Sequence, residues 1–79
     1  MKTRVVVTLK PSVLDPQGKA IEGALKSLGF TGFASVRQGK VFDIELEGFE
    51  GEAADRVLRE ACEKLLANTI VENFRIEHD

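Results

Sequence analysis

Few side chains in this sequence are equipped for covalent or metal chemistry. There is one cysteine, Cys62, and one histidine, His78. A structural zinc site needs four ligands, and a catalytic one needs three and a water. Acyl transfer needs a nucleophile held beside a base. Cys62 falls mid-way along an apolar helical stripe, away from any helix start that would lower its pKa, so it is expected to pack as a small hydrophobe. His78 stands next to the last residue, where the chain is expected to fray. Thirteen carboxylates are present, mostly on the solvent faces of the expected elements, and no acid–base pair can be picked from them. No catalytic residue, metal ligand or cofactor is assigned to this chain.

The remaining chemistry is recognition. The connection Leu9–Ile21, LKPSVLDPQGKAI, holds two prolines and is longer than a turn and a cap require. Arg37-Gln38-Gly39-Lys40 sets two cations beside a glycine, which suits either an anion grip or a solvated hairpin tip. A helix N-terminus also attracts phosphate, but Asp15 already fills this one with negative charge. Gly18 is not demanded by capping; it either lets another backbone come close or is merely tolerated.

The elements that must position these groups follow from periodicity. Thr3–Leu9 alternates around Val5, Val7 and Leu9 and reads as a strand. Asp15 and Pro16 are N-cap and first helical residue. Ala20, Ile21, Ala24, Leu25 and Leu28 then form one helical stripe. Gly29 supplies a left-handed stop, with Phe30 free to pack back on Leu25. Residues 33–46 read as a hairpin turning at Gln38-Gly39. A second helix is expected over 52–66, with Ala54, Val57, Leu58, Ala61, Cys62 and Leu65 inward, Glu52/Arg56, Asp55/Arg59 and Glu60/Lys64 as i,i+4 pairs, and Asn68 as its left-handed stop. The last strand is Ile70–Glu77, with Phe74 and Ile76 facing in. The order βαββαβ gives an α+β ferredoxin-like fold: one domain over residues 1–79, a four-stranded antiparallel sheet in order 4-1-3-2, and two helices on one face.

Composition narrows the function further. The chain of 79 residues carries 43% apolar residues and a formal charge of −2. An acidic balance argues against nucleic acid, and an RRM-like reading also lacks paired exposed aromatics on the middle strands. No apolar run is long enough for a signal peptide or a membrane span. The single cysteine fits a reducing cytoplasm. A thin core and open sheet edges call for self-association as a dimer or tetramer.

Val5–Lys10 (VVVTLK), Val13–Gly18 (VLDPQG) with Ala20-Ile21, Val36–Lys40 (VRQGK), and Leu65–Asn68 (LLAN) followed by Val71-Glu72 stand in the order and spacing of a known family. Over nearly its whole length the chain resembles the PurS family, the small subunit of phosphoribosylformylglycinamidine synthase. Thr69 departs from the family's usual proline at that turn. The resemblance implies a non-catalytic subunit of a purine-biosynthetic ligase complex. It bridges a synthetase, which uses ATP and magnesium, and a glutaminase, and it supports ammonia transfer between them. It also implies that Asp15-Pro16-Gln17-Gly18 presents a shaped loop to a partner. Strands one and two run parallel in the expected fold, so Lys10, Gln17, Arg37 and Lys40 leave the sheet at one end as a mainly cationic patch. The candidate partner-binding residues are therefore Lys10, Asp15, Pro16, Gln17, Gly18, Arg37 and Lys40. The rival reading is a stand-alone regulatory domain of the same fold, binding a small metabolite at a dimer interface.

Overall fold

In a computed structural model of the chain, which describes residues 1–78, the elements run β1 (Lys2–Leu9), α1 (Pro16–Ser27), β2 (Gly39–Glu45), α2 (Gly51–Ala61) and β3 (Glu72–His78). Asp79, the last residue of the expected domain, lies outside the described residues. The sheet is antiparallel, in the order β2-β1-β3. Val5 lies opposite Phe42 on one side and Ile76 on the other; Val7 lies opposite Lys40 and Phe74. Residues directly opposite share a face. That face buries Val5 and Val7 completely, and they cluster with Cys62 and Ala67 from the end of α2. Leu58, 2% exposed, and Ala54 complete the buried apolar core. The other face is polar, with Arg4 Nε donating to Asp43 Oδ1 at 2.9 Å.

Three strands are present where four were expected. The missing strand is the first arm of the hairpin, residues 33–37, which join no strand. Gly39 is the cause of the difference. It does not take the left-handed conformation a tight hairpin turn asks for. It opens β2 instead, opposite Thr8, where a Cβ would sit 2.6 Å from the Val7 carbonyl oxygen. A glycine that suits a turn also suits a close strand crossing. The observed order β3-β1-β2 matches 4-1-3 of the expected sheet, so it stops one strand short, at the outer edge of β2.

The expected pair of helices on one face is also corrected. α2 covers the core, but α1 buries only Gly18. Its stripe projects away, and the chain spans 49 × 26 × 15 Å.

The helix ends combine agreement and correction. Gly29 stops α1 with φ +89°, Phe30 N–H donating to Leu25 O and Gly29 N–H to Lys26 O, both at 3.0 Å, as a Schellman stop requires. α2 gives way to a π-helical turn at Cys62–Leu66, closed by Ala67 N–H donating to Cys62 O at 2.9 Å. Asn68 is not left-handed; its Oδ1 accepts from Ile70 N–H at 3.2 Å and turns the chain that way. Glu60 and Lys64 pair at 2.7 Å as expected. Asp55 instead meets His78 Nε2 at 2.7 Å, so His78 is tied to α2.

Candidate partner-binding loop

Asp15 organises the junction between β1, α1 and β2. It is 5% exposed and caps α1 by accepting from Gly18 N–H at 3.1 Å. Its second oxygen accepts from Gln38 N–H at 2.6 Å, 23 residues away. Glu22, one turn further along α1, accepts from Val36 N–H at 3.0 Å. Two carboxylates of the helix thus hold residues 36–38 against its first two turns. Gly18 permits the approach, since its missing Cβ leaves room for the Val36 carbonyl.

Arg37 closes the loop from outside. Its Nη2 donates to the carbonyls of Lys10 at 3.0 Å and Val13 at 2.8 Å. The expected patch is therefore less cationic than its composition. Arg37 is occupied with backbone and lies near Asp15, and Lys40 pairs with Glu72 at 3.4 Å across β1. The structure does bring the candidates to one end of the sheet. Asp15, Pro16, Gln17 and Lys40 line one open groove, floored by Val7 and Leu9. Lys10 enters through its backbone, accepting from Arg37 and donating to Val71 O at 2.9 Å. Lys40 keeps a side chain 59% exposed.

Glu22, Gln38 and Glu72 belong to this junction, and sequence reasoning missed them. No local pattern marks a helix carboxylate that reaches a backbone N–H 14 residues on. Their titration records the same contacts. The Gln38 and Gly18 N–H groups hold the Asp15 carboxyl below its usual value. The Val36 N–H lowers Glu22, and the Asn68 N–H, with Lys40, lowers Glu72. A carboxylate with a lowered folded pKa contributes stability that is complete above its unfolded value and lost as pH falls through the folded one. Tm is expected to stay level from neutrality to about pH 5.5 and to fall below about pH 4. The variant Asp15→Asn with Glu22→Gln is expected to start lower and to show a flatter acid limb in calorimetric scans.

Among the described residues no group of three or more His, Cys, Asp or Glu side chains is placed to hold a metal ion. Burial raises the Cys62 thiol above its usual pKa, which suits packing. The chain's chemistry lies in a preformed surface: a loop fixed by buried hydrogen bonds, a polar-rimmed groove, and a projecting helix.

Comparison with known proteins gives one answer. The family model for PurS, phosphoribosylformylglycinamidine (FGAM) synthase, matches residues 2–79. The Bacillus subtilis protein described as phosphoribosylformylglycinamidine synthase subunit PurS is 45% identical over 76 residues, 96% of this chain and 89% of that one. The solved B. subtilis PurS structure superposes with a TM-score of 0.86, covering 96% of this chain and 94% of that one. PurS of Methanocaldococcus jannaschii, described as one of the subunits of formylglycinamide ribonucleotide amidotransferase in the purine biosynthetic pathway, is 38% identical with a TM-score of 0.86, over 96% of this chain and 92% of its own. A chain of the Thermotoga maritima structure described as PurLQS is 32% identical with a TM-score of 0.87, over 96% and 93%.

Proposed function

The chain belongs to the PurS family, and from that premise we propose that it is the small, non-catalytic bridge of phosphoribosylformylglycinamidine synthase in purine biosynthesis. The observation that carries the reading is its near full-length likeness to a chain of the T. maritima PurLQS structure. The bridge joins a synthetase subunit, which binds ATP and magnesium, to a glutaminase subunit, and supports delivery of ammonia from one to the other. The chain itself holds neither cofactor. It works in the cytoplasm; no described helix is long and apolar enough to cross a membrane. It acts as a homo-oligomer, a dimer or a tetramer. The fourth strand of a ferredoxin-like sheet then belongs to the assembled protein, beyond the three strands of one chain.

Within the loop the candidate residues divide by task. Asp15, Pro16, Gly18 and Arg37 set its shape. Gln17, Lys40 and the stem of Lys10 face the partner. A loop already fixed in shape loses little conformational entropy on docking. Reconstitution with the synthetase and glutaminase subunits tests the reading. Glutamine-dependent synthesis is expected to need this chain, whereas synthesis from added ammonium ion continues without it. Gln17→Ala with Lys40→Ala is expected to raise the chain concentration for half-maximal glutamine-dependent activity about tenfold, the effect of losing roughly 1.4 kcal/mol of contact. Full glutamine-dependent activity without the chain would refute the bridge.

A further inference from the structure

The apolar stripe of α1 finds no cover in its own chain. Ile21, Leu28, Phe30 and Phe33 are 39%, 74%, 53% and 49% exposed, and the rings of Phe30 and Phe33 meet edge-on, with centroids 6.0 Å apart, at the tip of the projection. The radius of gyration is 15.9 Å, against about 12 Å for a compact chain of this length. The accessible surface is 5892 Å², against roughly 4,700 Å² for a folded monomer of this mass. The excess is about 1,200 Å², more than the roughly 800 Å² each partner gives to a standard protein–protein interface.

The fold specifies what covers it. Phe42 and Ile44, on the helix side of β2, are only partly buried, since α2 serves the β1 core and α1 is absent from its expected place. The outer edge of β2 is unpaired, and an open edge is a template for another strand. The residues that lead into β2 are suited to that edge. Val36 and Gln38 both aim their N–H groups at α1. That is the two-residue repeat of an extended chain, so the backbone groups of Ser35 and Arg37 face the other way. One chain therefore presents both halves of a contact: an apolar arm with a ready strand, and a half-covered face with a free edge. Self-complementary halves of this kind close around a two-fold axis.

We propose that two copies exchange arms. Residues 33–37 of each copy pair antiparallel with the outer edge of β2 in the other, and α1 of each lies over the other's Phe42 and Ile44. The fourth strand that the sequence predicts is thereby supplied in trans. This rests on the self-association proposed above and names its geometry.

A sample mixed from isotope-labelled and unlabelled protein tests it by NMR. Light scattering is expected to give twice the 8.7 kDa of the chain. Filtered spectra are expected to show intermolecular contacts from the Phe33 ring to the Ile44 methyls. Phe30→Glu with Phe33→Glu is expected to raise the dimer dissociation constant at least 100-fold while leaving the core resonances of Val5 and Leu58 in place. A dimer whose arm shows no intermolecular contact would overturn the exchange and leave self-association standing. A double variant that dimerises like its parent would also overturn the exchange. A monomer at hundreds of micromolar would overturn both.

Discussion

Gly18→Ala is expected to lower Tm more than any other single methyl added to α1. An alanine normally favours a helix interior over glycine by about 1 kcal/mol, so the substitution tests space against propensity. At Gly18 a Cβ would stand 2.2 Å from the Val36 carbonyl oxygen and 2.7 Å from Asp15 Oδ2. Neither atom can retreat cheaply. Val36 is held by Glu22, and Asp15 holds both Gly18 and Gln38. The methyl must push residues 36–38 off the helix and break those bonds, a cost of about 3 kcal/mol by the scale of overpacked sites. Gly23 is the internal control, because a Cβ there meets nothing within 4 Å. Gly23→Ala is expected to stabilise by about 0.5–1 kcal/mol. Calorimetry of the two variants should move Tm in opposite directions. A neutral Gly18→Ala would mean that residues 36–38 are not clamped to α1.

This contrast also marks how much of the structure was legible in the sequence. The cap at Asp15 and the stop at Gly29 are local events, decided within six residues, and the spacing identified both. The inward phase of Val5, Val7, Leu58, Cys62 and Phe74 follows from period alone. The hairpin failed because a glycine's type does not say which of its freedoms is used: Gly39 serves a close strand crossing, not a turn. The second role of Asp15 and the role of Glu22 depend on backbone groups 23 and 14 residues away, beyond any periodic signal. Arg37 was recognised as a charge, but its carbonyl partners at Lys10 and Val13 were not. The stripe of α1 was read correctly as a face to be buried. An amphipathic pattern is the same whether burial is against the helix's own sheet or another copy, so the place of α1 was not in the sequence.

Leu58→Ala is expected to leave the isolated chain largely unfolded at 37 °C. The buried apolar core comprises Val5, Val7, Ala54, Leu58, Cys62 and Ala67, and Leu58 is its largest member. Truncation of a buried leucine costs about 2–5 kcal/mol, most where the site cannot collapse. Collapse is hindered here. Val5 and Val7 are fixed from both sides by the β1 ladders, and the α1 stripe projects too far away to fill the hole. A chain of 79 residues has roughly 4–12 kcal/mol of total stability, so the loss takes a large share of it. Leu58→Met conserves volume and is expected to cost less than about 1.5 kcal/mol. Urea unfolding of the two variants, followed by far-UV circular dichroism, separates cavity formation from simple replacement. Equal midpoints for alanine and methionine would mean that α2 shifts to close the gap, and the core would then be softer than two fixed strand ladders allow.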